Sequence, residues 1–247
     1  MNRFGKVGLG SGVGSGLRSG LRSGVRFGLP FGISLVMAFG GLGLLAAPAA
    51  RAQAASNPSL NAQLLVAARQ GDLAAVQQAL VRGAAPDARN RLGKTVLLMA
   101  AEKGQLAMAA AALAAGADVN LASVEQVTPL MAASHGGHSA LVQALLDGGA
   151  RTAPEDRLHK PAMVYAAGQG HAGVVALLLA HGVPLDAAYA HQLTALMWAA
   201  GQGSVATTAL LLDSGARTDQ RDDRGLTALD MARQAGHAAV VALLQGR

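Results

Sequence analysis

Thr194-Ala-Leu-Met-Trp-Ala-Ala-Gly-Gln-Gly-Ser204 runs into Val205-Ala-Thr-Thr-Ala-Leu-Leu-Leu212 and then Asp213-Ser-Gly-Ala216, and the reading of this chain turns on that stretch. It reads as two short helices and two stops. Leu196, Ala199 and Ala200 share one face of the first helix, and Leu210, Leu211 and Leu212 give the second an apolar side. Gly203 and Gly215 stand where each helix must end, because glycine takes the left-handed capping conformation at little cost. A pair this short cannot bury its own apolar face, so it needs copies of itself on both sides.

The copies are present at a fixed step of 33 residues, beginning at Ala62, Thr95, Thr128, Pro161, Thr194 and Thr227. The closing signature also recurs, as Arg82-Gly-Ala84, Ala115-Gly-Ala117, Gly148-Gly-Ala150, His181-Gly-Val183 and Ser214-Gly-Ala216. A constant period of this length means a solenoid of stacked modules. The Thr-Pro-Leu, Ala-Ala, Gly-His, Leu-Leu and Gly-Ala positions resemble the ankyrin repeat over about residues 61–247. The resemblance implies an all-α solenoid of six helix-turn-helix repeats with short β-hairpin-like fingers. The expected repeats cover about 61–90, 91–123, 124–156, 157–189, 190–222 and 223–247. The first and last act as caps, and residues 53–60 form a linker, with Ser59 or Asn61 as N-cap of the first helix.

The formal charge of +6 has to be located before it is used. Six of the 20 basic residues precede Gln53, and all 14 acidic residues follow it, so the chain from Gln53 onward is neutral. No concentrated basic face remains, which argues against nucleic-acid binding. Residues 1–28 are Gly/Ser/Arg-rich and residues 29–50 are uncharged and apolar. Ala50-Arg-Ala52 and Ala52-Gln-Ala54 are small-x-small cleavage patterns. Residues 1–52 therefore read as a secretory signal peptide cut after Ala52 or Ala54. The alternative is an uncleaved inner-membrane anchor facing the periplasm, which would be the chain's only membrane association. Either reading exports the rest of the chain, to a bacterial periplasm by the leader's resemblance to bacterial ones. There is no cysteine, hence no disulfide to rely on.

Two departures from the family pattern carry expectations. The family places His three residues after the Thr, where it ties neighbouring repeats. Leu98, Met131, Val164, Met197 and Asp230 stand there instead, so the stack should rest more on apolar contact. The Asp-x-x-Gly-x-Thr finger signal survives at Asp222–Thr227 and, nearly, at Asn90–Thr95. It weakens at Ser123, Asp156 and Tyr189, so those fingers should be looser or differently shaped.

Catalytic chemistry finds little support. His135-Gly-Gly-His138 has no third ligand at the spacing a metal site needs, and His138 aligns with His171 and His237 as part of the repeat. No nucleophile elbow and no phosphate loop occur. Neither a cofactor nor a metal is expected. The resemblance places the residue four after the Thr on the concave groove: Met99, Ala132, Tyr165, Trp198 and Met231. The only Trp and one of the two Tyr fall on that line, and such residues dominate interface hot spots. Arg91, Lys94, Glu125, Arg157, Lys160, His191 and Arg224 form a polar rim at the fingertips, suited to orientation and encounter. The expectation is a non-catalytic module that binds a partner protein in this groove. A protective, inhibitor-like role toward an exported enzyme is the alternative, and a His-dependent hydrolase the remaining one.

Overall fold

The computed structural model describes residues 58–246. The expected signal peptide, its cleavage sites and the anchor alternative lie outside the described residues. Twelve helices follow in pairs: α1 (Pro58–Gln70) and α2 (Leu73–Val81), α3 (Val96–Glu102) and α4 (Leu106–Ala114), α5 (Pro129–His135) and α6 (Ser139–Asp147), α7 (Ala162–Gly168) and α8 (Ala172–Ala180), α9 (Ala195–Gly201) and α10 (Val205–Asp213), α11 (Ala228–Gln234) and α12 (Ala238–Gln245). No strand occurs among the described residues. Each first helix packs on its own partner and on the first helices of adjacent pairs, and each second helix does likewise. This is the nearest-neighbour stacking of a solenoid.

In the four repeats headed by Thr, that residue starts the first helix. Thr95, Thr128, Thr194 and Thr227 accept, through the hydroxyl, the N–H of Leu98, Met131, Met197 and Asp230 at 3.2, 3.3, 3.2 and 3.2 Å. At three of them the third residue answers. The sulfurs of Met131 and Met197 and the carboxylate of Asp230 accept the Thr N–H. The position that carries His in the family thus closes a capping box here, each cap contributing about 1 kcal/mol. The helices then bury one continuous apolar seam, in which Leu64, Leu97, Leu130, Leu145, Leu178 and Leu196 are almost wholly excluded from water.

The start of the domain corrects the expected boundary. Helix α1 begins at Pro58, so part of the linker is helical and Leu60 is buried. Asn61 lies inside the helix rather than capping it, and its Oδ1 accepts the N–H of Ala85 at 2.8 Å.

The expectation of a stack poor in polar ties is also corrected. From the second repeat onward, the residue that precedes the second helix packs a polar side chain on the repeat before it. The left-handed glycines Gly71, Gly104, Gly137, Gly170 and Gly203 each lie against a polar side chain 34 residues later: Gln105, His138, His171, Ser204 and His237. A Cβ at any of them would sit 2.5–2.7 Å from that side chain. Only glycine lets the next repeat approach so closely. His171 Nε2 and His237 Nε2 also bond the carbonyls of His135 and Gly201, at 2.9 and 3.1 Å. A second row runs along the loops: Asp87, Asn120 and Asp186 accept the N–H of Asp118, Arg151 and Arg217 in the next repeat, at 2.8, 2.8 and 2.9 Å.

The fingers are tight turns. The N–H of Asn90, Ser123, Asp156, Tyr189 and Asp222 donates to the carbonyl four residues on, at 2.9–3.3 Å. Ser123 and Asp156 close theirs as the two well-formed signals do. Ser123 Oγ accepts the N–H of Glu125 and Val127, and Asp156 Oδ1 accepts those of Leu158 and Lys160. Side-chain capping holds Gln126 and His159 in the positive-φ place of the glycine. These two fingers are therefore not looser, contrary to the sequence expectation. The Tyr189 finger does differ, because a phenol cannot reach back to cap the turn. His191 and Gln192 are both left-handed there, within a single 3-10 turn at Ala190–Gln192.

Candidate functional site

The first helices and the fingers share one face, and the line four residues after each Thr divides on it. Met99 and Met231 are only 6% and 8% exposed, and Ala132 is 8% exposed. The two methionines were expected to offer apolar surface and are instead part of the core. An unbranched thioether chain lies down along a helix where a rigid ring cannot. Tyr165 and Trp198 are half-buried. They stand as walls between three adjoining depressions.

The middle depression, about 300 Å³, lies between Tyr165 and Trp198 and is also lined by His135, Leu158, Lys160, Gln169 and Gln202. On the Tyr165 side is one of about 270 Å³, reached by Glu102, Met131 and His135. On the Trp198 side is one of about 320 Å³, reached by Gln202, Arg224, Met231 and Gln234. Shared walls make the three a trough. A wider opening of about 740 Å³ lies elsewhere, lined by residues 150–155 with Leu146 and His181, where Ala153 breaks the Asp/Asn row of the loops.

One finger, Asp156–Pro161, meets both walls. Tyr165 donates its hydroxyl to Asp156 Oδ2, while Oδ1 of the same carboxylate caps the finger turn. Burial, then the hydrogen bond and charge of Asp156, push the Tyr165 phenol well above its ordinary pKa. Its ring meets His135 edge to face, centroids 5.5 Å apart at 77°. Gln169 Nε2 lies 3.4 Å from His135 Nε2. The Lys160 ammonium sits over the Trp198 ring, 5.0 Å from its centroid. The indole Nε1 of Trp198 is buried without a hydrogen-bond partner.

The expected rim residues are placed unequally. Lys94 pairs with Glu102 at 2.6 Å, Arg157 with Glu125 at 3.4 Å and Arg224 with the buried Asp222 at 2.8 Å. His191 Nδ1 lies 3.4 Å from Asp223. Those pairs join finger to helix, finger to finger or turn to itself. Arg91 is exposed, with no ion pair among the described residues. Only Lys160 and Arg224 of this set line the trough. Sequence reasoning missed His135, Gln169 and Gln202. The last two lie one helical turn beyond Tyr165 and Trp198, and i to i+4 spacing on the same helix face was the signal that could have found them.

His138 lies against Gly104 and Gly136 and does not line the trough, whereas His135 does. No group of three His, Cys, Asp or Glu able to hold a metal occurs among the described residues. No described helix is long and apolar enough to cross a membrane. No match was found among curated proteins. A family model for ankyrin repeats, in three copies, matches residues 64–156 and again residues 163–246. Those two matches span most of the chain, and the chain belongs to the ankyrin repeat family.

Proposed function

We propose that this chain is an exported, non-catalytic module that captures another protein in the trough walled by Tyr165 and Trp198. Ankyrin repeats are in general protein–protein interaction modules. The observation that carries the finer reading is the pair of half-buried aromatic walls, both in contact with the Asp156–Pro161 finger, with apolar and polar groups lining the depression between them. Rigid aromatic anchors beside a depression are where binding energy concentrates. Preformed walls also lower the ordering cost of association.

The fixed walls make the mechanism steric. The partner inserts side chains between rings that do not have to move, and its surface excludes water from Lys160 and the two glutamines. Trp198→Ala should weaken binding of the captured partner by about 2 kcal/mol or more, with the helical circular dichroism retained. Calorimetry giving equal affinities for the two proteins would remove the trough from the account. Export from the cytoplasm, to a bacterial periplasm, rests on the leader's composition and its Ala-x-Ala patterns. Mass spectrometry of the protein recovered from the periplasm should find a mature start at Gln53 or Ala55. An intact leader on a cytoplasmic protein would overturn that part.

A further inference from the structure

We infer that the depression between Tyr165 and Trp198 is a subsite for an acidic side chain, and that the partner segment crossing the trough places an Asp or Glu there beside an apolar residue. This rests on the trough being the binding surface and adds what the surface selects. The depression is lined by one formal charge, Lys160, and by no carboxylate. The carboxylates nearest in the chain are engaged elsewhere. Asp156 accepts two backbone N–H groups and the Tyr165 hydroxyl. Glu125 faces Arg157, and Glu155 lies 3.4 Å from His159. The other trough cation, Arg224, is paired with Asp222, whereas Lys160 has no ion pair among the described residues. Its ammonium is held over the Trp198 ring instead, an attraction weaker than a desolvated ion pair and compatible with one.

The donors around it are of matching type. The Gln169 and Gln202 amides flank the lysine in the same depression. Leu158 and the ring faces of Tyr165 and Trp198 supply the apolar side, so a carboxylate flanked by a hydrocarbon group fits and a bare anion leaves that side empty. The trough continues past both walls. A chain lying in it passes through the subsite, so the acid is a side chain rather than a chain end. A polyanion is disfavoured because the chain beyond Gln53 has no net charge and the subsite holds one unpaired cation.

The test uses the mature protein as bait for a phage-displayed library of random linear peptides. Selected peptides are synthesised, and their affinities for the wild-type protein and each variant are read by isothermal titration calorimetry, because Trp198→Ala removes the only tryptophan in the chain. The expected peptides carry Asp or Glu next to an aliphatic or aromatic residue. Replacing that acid with its amide should lower affinity about tenfold, as should Lys160→Gln in the protein. The two changes together should cost little more than either alone. Lys160→Glu should reverse the preference toward basic peptides. Peptides that bind wild type and Lys160→Gln equally, while losing affinity for Trp198→Ala, would overturn the acidic subsite and leave the trough standing. Peptides indifferent to Trp198→Ala, or a selection that yields no binder, would overturn both. An oligonucleotide that displaces the selected peptides at moderate salt would replace the acidic segment with a phosphate backbone.

Discussion

The tie between repeats can be tested at a single atom. Gly137 and Gly149 both adopt left-handed backbone, with φ of +70° and +85°. At Gly149 an added Cβ would meet nothing within 4 Å, whereas at Gly137 it would sit 2.5 Å from His171 Nδ1. Alanine at either site carries the left-handed penalty of about 1–2 kcal/mol. At Gly137 the imidazole must also swing away and give up its 2.9 Å bond to the His135 carbonyl, a further loss of about 1 kcal/mol. Gly137→Ala should therefore destabilise the domain by roughly 2–3 kcal/mol, and Gly149→Ala by about 1–2 kcal/mol. Adding His171→Ala to Gly137→Ala should cost less than the sum of the single changes, because the clash has gone. Urea titration followed by circular dichroism measures all four proteins, and a change in slope would report lost cooperativity between repeats. Equal losses at the two glycines, or strict additivity with His171→Ala, would refute the packing of His171 on the preceding repeat.

Other outcomes follow from the same contacts. Leu130→Ala, at a side chain 1% exposed, should cost about 2–5 kcal/mol, and a melting temperature equal to wild type would show that the seam is misplaced. Tyr189 is pushed up to about 12 by burial and then by the charge of Glu155. The folded state thus holds a proton that the unfolded chain releases near its ordinary value, so the stability it supports is present below that value and lost as pH rises toward 12. Alkaline titration should show neither tyrosine ionising in the folded protein at its ordinary pKa, and a normal tyrosinate transition before unfolding would contradict this. Asp230 is held below the usual carboxylate range by the N–H and then the hydroxyl of Thr227. That contribution is present above the ordinary carboxylate pKa and lost on acidification through the depressed value. Asp230→Asn should therefore flatten the acid limb of the stability profile, and an unchanged limb would exclude the group.

The fold was legible because a 33-residue step places the same apolar pairs in register six times, and one amphipathic hairpin has no other way to dry its face. The polar ties were legible only in part. His138, His171 and His237 were visible as repeat grammar, but their contact with the preceding glycine joins positions 34 apart, between modules rather than within one. Asp156 looked like the start of a weak finger. In the structure its two oxygens do separate work, one closing the turn and one fixing Tyr165. Residue type and phase picked out Tyr165 and Trp198, which line a depression in the structure. The burial of Met99 and Met231 was not legible, because phase gives the direction in which a side chain leaves the helix and says nothing of where a flexible chain then lies. The pairing of the rim charges was not legible for a related reason: partners such as Lys94–Glu102 and Glu125–Arg157 come from different elements.

The most direct test places a photoreactive phenylalanine analogue at Trp198 in one protein and at Val81 in another, the latter 88% exposed at the end of α2 and on no element that lines the trough. Irradiated in cells, the protein labelled at 198 should form one crosslinked species that the protein labelled at 81 does not, with the attached peptide mapping to a single segment of the partner. Equal crosslinking from both positions, or crosslinking from 81 alone, would contradict capture in the trough.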